Sequence, residues 1–258
     1  MNDSLQATPI SVVMTFALVL VTLFVSYREK LNLEKEIIIS VLRMAVQLII
    51  IGLILKWIFK VDNMWLTIAM VIIMIINAAW NAAKRGQGLD HAFRNSLIAI
   101  SLSSIIALGV MAGSGTLEFT PSQIIPVNGM VIGTTMQICG MVFNSMRQII
   151  KDRQQQINEM LALGANPRQA SQEVIKIVIN NSLQPTLDSI KTTGLVTLPG
   201  LMAGLMFAGV DPAKAILYQI VIMFMMLSST AIGAYVIAYL TSPTFFTSRA
   251  QLLVHPNK

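Results

Sequence analysis

An all-α integral membrane protein with about seven transmembrane helices is the fold class this sequence predicts, and three observations predict it. Of the 258 residues 55% are hydrophobic and only 12% are charged, about half the roughly 25% charge of a soluble domain. Apolar stretches of the ~17–25 residues that a helix needs to cross a bilayer recur along the chain. Those stretches are continuous rather than alternating, which argues against a β-barrel.

The spans follow in order. The first covers residues 9–26, with Thr8 and Pro9 suiting a helix start. The tail before it carries Asp3 and no basic n-region of a cleavable signal peptide, so it reads as a short outside segment. A charged loop, YREKLNLEKE, leads to span two at 37–59, which holds the polar intruders Arg43 and Gln47. Residues 60–63 turn the chain into span three, 64–83, whose end carries Asn77 and Asn81. After the basic, Gly-broken loop KRGQGLDHAFR, span four covers 95–113, and the Pro-bearing turn LEFTPSQIIP follows. Span five runs to 145 with Pro126, Asn128 and Gly129 near its start. Span six, 192–209, is rich in small residues, and Pro199 before Gly200 predicts a kink or break in it. Span seven covers 213–240.

Charge orients the bundle. Loops 27–36, 84–94 and 146–191 with the tail hold Arg28, Lys30, Lys35, Lys84, Arg85, Arg94, Arg147, Lys151, Arg153, Arg168, Lys176, Lys191, Arg249 and Lys258. The other side holds Lys56, Lys60 and Lys214. The positive-inside bias predicts an outside N-terminus, a cytoplasmic C-terminus and a cytoplasmic segment 147–191. The net charge of +6 is thus spent on topology, and no nucleic-acid partner is expected. Residues 1–258 read as a single transmembrane domain in contact with lipid.

Within segment 147–191 the run RQIIKDRQQQINEMLALGANPRQASQ reads as helix, sharp turn, helix. Gly164 suits the close of the first helix. Asn166 suits the cap of the second and Pro167 its first turn. Leu161 and Leu163 offer apolar knobs beside Glu159, Ala165 and Arg168. Such a segment either lies against the bilayer or fills a socket on a partner.

The polar and soft residues of the spans have two readings each. Arg43 and Gln47 share a helix face, and a charge at that depth either faces a wet interior or snorkels to the near interface. Asn77 and Asn81 repeat that spacing and either line a path or bond across helices. Asn128, Met202 and Met206 complete the candidate translocation path. The 17 methionines are either soft metal ligands or fillers of irregular interfaces. Cys139 has no partner for a disulfide, and His91 and His255 are too scattered for a metal site. Gly pairs at 109/113, 129/133 and 200/204 permit close helix contacts. The run Gly129-Met-Val-Ile-Gly133-Thr lacks the Lys a phosphate loop needs, and no nucleophile–base pair stands out. The chain is therefore not expected to be an enzyme, and any ATP would be bound by another chain.

The runs QQQINEMLALGANPRQAS and DSIKTTGLVTLPGLMAGLMFAGVDPAKAILYQI, with REKLNLEKEI and NAAWNAAKR, closely resemble the FetB-like family of ABC transporter permeases. That family is associated with iron export and includes plant relatives linked to aluminium tolerance. The resemblance implies a permease subunit of the bacterial cytoplasmic (inner) membrane that exports iron or another metal ion. It implies a homodimer paired with two cytoplasmic ATP-binding subunits, which alone bind ATP. It also implies that 159–169 is the coupling helix, of which the Gly164-centred turn is carried over here. The rival expectations are an ABC permease for an organic or nucleotide-sugar substrate, and a passive channel or ion-driven carrier. The last would want carboxylates within the spans, and Asp188, near the start of span six, is the nearest.

Overall fold

The computed structural model describes residues 9–253. The expected outside tail with Asp3 and Thr8, and His255 and Lys258 of the basic tail, lie outside the described residues. In chain order the elements are α1 (Pro9–Thr15), α2 (Ala17–Arg28), α3 (Glu34–Val61), α4 (Met64–Arg85), α5 (Ala92–Gly113), α6 (Pro121–Asp152), α7 (Gln154–Ala162), α8 (Pro167–Ala170), α9 (Gln172–Thr192), α10 (Gly200–Phe207) and α11 (Pro212–Thr241), closed by a 3-10 turn, Ser242–Phe245. Two isolated bridges, Thr193 with Thr197 and Phe246 with Leu252, are the β pairings among the described residues. The protein is an all-helical membrane protein.

Among the described residues, five helices are long and apolar enough to span a bilayer: α3, α4, α5, α6 and α11 with its closing turn. Two of the seven expected spans take another form. The first is interrupted at Phe16, whose N–H bonds to the Val13 carbonyl at 3.2 Å, a tightened turn between α1 and α2. The sixth is discontinuous. Helix α9 stops at Thr192, residues 193–199 are non-helical, and α10 has 8 residues, too few to cross a membrane alone. Gly194 at φ +88° leaves the helical region, and Pro199 cannot supply the N–H that a continuous helix would need.

The chain divides into two compact units. In the first, which runs to Asp62 and includes Phe207–Gly209, Ser26 is buried at the bend between α2 and α3. Its Oγ donates to Glu34 Oε1 at 2.8 Å and accepts from the Leu33 N–H at 3.3 Å. The most apolar stretch of α3 has no buried residue.

In the second unit α11 lies along α5, α6 and α9, and α4 lies along α5 and α6. Small residues make this possible. Ala78, Ala79 and Ala82 of α4 and Ala99 of α5 are buried, so backbones approach closely where hydrophobic force between helices is absent. At Gly233 of α11 a Cβ would sit 2.6 Å from Thr135 Cγ2 of α6. Polar side chains join the same seam. Ser103, Ser104, Asn128, Thr135, Ser229 and Thr230 are buried, and Ser104 Oγ donates to Asn128 Oδ1 at 2.6 Å. Phe143, Met146, Val178, Ile237 and Phe245 fill the larger core. Ala107, Met111, Ile124, Val131 and Ile222 fill a smaller one.

Candidate functional site

Two features of the second unit carry chemistry. The first is the polar turn. The Gly164 N–H donates to the Leu161 carbonyl at 3.0 Å, and the Ala165 N–H donates to the Met160 carbonyl at 3.0 Å. With Gly164 at φ +94°, this is the paired hydrogen-bond closure of a helix C-terminus that favours glycine. Asn166 and Gln169 then form a reciprocal cap on α8. Asn166 Oδ1 accepts from the Gln169 N–H at 2.9 Å, and Gln169 Oε1 accepts from the Asn166 N–H at 3.0 Å. Pro167 occupies the first position of α8, where its missing N–H costs nothing.

The turn is fixed to the bundle at both ends. Ile157 and Ala170 are buried, and Leu161 packs against the larger core. Behind α8, Ser242 Oγ donates to Ser171 Oγ at 2.8 Å. The Arg168 guanidinium stands 5.8 Å from the Tyr239 ring centroid. Leu163, in contrast, is 88% exposed at the apex, with Glu159, Asn166 and Arg168 exposed around it. The structure thus brings together the residues of 159–168 as one braced knob. Within the expected polar segment 147–191, α9 packs on α6 and α11, with Val174, Ile175 and Val178 buried.

The second feature is a cavity of about 570 Å³ between α6, α11, the C-terminal end of α9 and the break after it. On α6, Met130, Thr134 and Gln137 line it; on α11, Gln219, Met223 and Met226 do. Both triplets have the i, i+4, i+7 spacing of one helix face. Thr193, Thr197 and Gly200 close the third side. At 1.5 Å per residue, Gly129–Gln137 lie roughly 12–24 Å from the start of α6, within the first two-thirds of this membrane-length helix. A discontinuous helix facing a cavity at that depth is the arrangement on which transport sites are commonly built.

The cavity wall is neutral. Its carbonyl, amide, hydroxyl and thioether groups belong to residues none of which is Asp, Glu, His or Cys. Nor do three such residues gather in a metal-holding group anywhere among the described residues. Gln219 is only 5% exposed and its Oε1 has no hydrogen-bond partner. A buried amide oxygen left unpaired costs free energy, and this one lies within the helix packing behind the cavity lining.

The sequence-derived path residues fall elsewhere. Asn128 is fully buried in the seam with Ser104. Asn81 Nδ2 donates to Asn77 Oδ1 at 2.8 Å, an internal pair on an outer face of α4. Met202 and Met206 lie on α10 and do not line the cavity. Arg43 and Gln47 are exposed on α3 in the first unit. The lining amides Gln137 and Gln219 were not singled out from the sequence. The readable signal was their register: Gln219 stands four and seven residues before Met223 and Met226. Met130 and Met226 also pack on the smaller core, in which Met225 is buried, and Met136 and Met141 pack on the larger.

Comparison with known proteins places these features in a family. The uncharacterised protein family UPF0014 matches residues 9–246. The chain is 47% identical over 252 residues to the "Probable iron export permease protein FetB" of Escherichia coli (strain K12), covering 98% of this chain and 97% of that one. It is 35% identical over 243 residues to the "UPF0014 membrane protein YjkA" of Bacillus subtilis (strain 168), with 94% and 97% covered. It is also 35% identical over 237 residues to "Protein ALUMINUM SENSITIVE 3" of Arabidopsis thaliana, with 92% and 87% covered. No solved structure matches.

Proposed function

This chain belongs to the UPF0014 family, and on that premise we propose that it is the permease subunit of an ATP-driven exporter of iron or another metal ion. It sits in the bacterial cytoplasmic membrane with its N-terminus outside and the turn at Gly164 in the cytoplasm. It works as a pair of permeases with two separate ATP-binding subunits, which hydrolyse the ATP. The relative named "Probable iron export permease protein FetB" supports the cargo class.

The observation that carries this reading is the braced knob. Leu163 projects from a turn whose two flanking helices are anchored in the bundle through Ile157, Leu161 and Ala170. A force applied at Leu163 passes through α8 into α9. Helix α9 ends at the break that closes one side of the cavity. Closure of the ATP-binding pair therefore pushes on the wall of the transport cavity by way of one lever. Pro185 lies inside α9 and frees the Asn181 carbonyl from the helical ladder, which gives the lever a place to bend.

The test is uptake of iron into inside-out vesicles carrying this chain with its co-expressed ATP-binding partner. ATP should drive accumulation, and the non-hydrolysable analogue should not. Transport of equal rate by the chain alone would replace this reading with a channel or ion-driven carrier. Accumulation of an organic substrate in place of iron would keep the permease and change the cargo.

A further inference from the structure

We propose that the cavity between α6 and α11 binds a soft, low-valent metal ion through the thioethers of Met130, Met223 and Met226. This rests on the reading of the cavity as the cargo's path. Two observations support it. The three thioethers belong to cavity-lining residues of two facing helices, two from α11 at i, i+3 and one from α6. No lining residue is a carboxylate, imidazole or thiol.

Donor chemistry then selects the ion. Carboxylates, carbonyls and water suit hard cations such as Mg²⁺ and Mn²⁺, whereas thioethers suit soft ones such as Cu(I). A highly charged hard ion entering a neutral site would lose its hydration with no opposing charge to offset the loss. A soft ion of low charge loses least hydration and gains sulfur ligands. By this argument iron would be carried in its ferrous, borderline-soft state and not as the ferric ion. Neutral ligands also leave the ion free to depart, which a transport site requires and a storage site does not.

Gly133 adds a structural handle. It lines the cavity, and a Cβ there would meet nothing within 4 Å, so a large side chain at 133 would enter the open volume instead of the helix packing.

The experiment uses the purified full-length chain in detergent, without ATP or partner, titrated with Ag(I) in a chloride-free buffer. Silver is the redox-inert probe and Mn(II) the hard control. One saturable Ag(I) site per chain is expected, undisturbed by Mn(II). Met130→Leu, Met223→Leu and Met226→Leu nearly conserve volume. Each should weaken the site by at least the roughly 10–100-fold that losing even an outer-shell partner costs a metal site. Gly133→Phe should abolish it, and Met202→Leu should leave it intact. In the unmutated chain, the ¹³C-methyl resonances of Met130, Met223 and Met226 should shift first on adding Ag(I). Unchanged binding in the triple Met→Leu variant, first shifts at other methionines, or equal competition by Mn(II) would each overturn the proposal. Because no ATP is involved, a failed silver titration counts against this site alone, and a failed ATP-driven uptake counts against the transporter reading alone.

Discussion

A Cβ added at Gly233 would lie 2.6 Å from Thr135 Cγ2, while one added at Gly133 would meet nothing within 4 Å. The two glycines therefore serve different ends, one contact and one space. Gly233→Val should destabilise the fold by about 1–3 kcal/mol through overpacking, seen as a lower unfolding midpoint in detergent. Gly133→Val should leave that midpoint nearly unchanged, because its side chain enters the cavity. A similar contrast holds at the turn. Leu163 is almost wholly exposed, so Leu163→Asp should shift stability by no more than about 0.5 kcal/mol, yet it should release the ATP-binding subunit in a pull-down. Asn166→Ala removes a reciprocal cap and should cost about 1 kcal/mol, with partner binding weakened but retained.

Among the elements, the one that links the two features is the discontinuous pair α9 and α10. Its break is built from Gly194 at φ +88° and the Pro199–Gly200 step. Gly194→Val forces a β-branched residue into the left-handed region at a cost of about 1–3 kcal/mol. It should slow transport more than it lowers expression, measured as vesicle uptake per unit of inserted protein. Much of this was legible beforehand. Pro199 before Gly200 announced the break, and Gly164, Asn166 and Pro167 announced the turn, because each residue type permits or forbids a particular backbone geometry. The long apolar helices were legible for the same kind of reason, since length and hydropathy are local properties. The packing of α9 was not. Its polar residues mark it as a surface segment, and only the tertiary fold shows that Val174, Ile175 and Val178 are buried. The cavity was hidden as well. Which methionines reach a void depends on helix rotation: Met225 is buried in the smaller core, whereas Met226, next to it in sequence, packs on that core and also lines the cavity.

At the level of the whole molecule, we propose that an exposed knob, a lever and a cavity form one coupled path. Each part has its own residue-level signature: burial for the anchors, exposure for Leu163, and neutrality for the cavity wall. Their connection is the central claim, and transport is where it is tested. The most direct measurement is ATP-dependent iron uptake into inside-out vesicles holding the permease and its ATP-binding partner, comparing the unmutated chain with Gly164→Pro. Proline cannot adopt φ +94° and has no N–H to give the Leu161 carbonyl. The variant should insert normally and lose both partner association and ATP-driven uptake. Uptake at the unmutated rate in that variant would contradict the account.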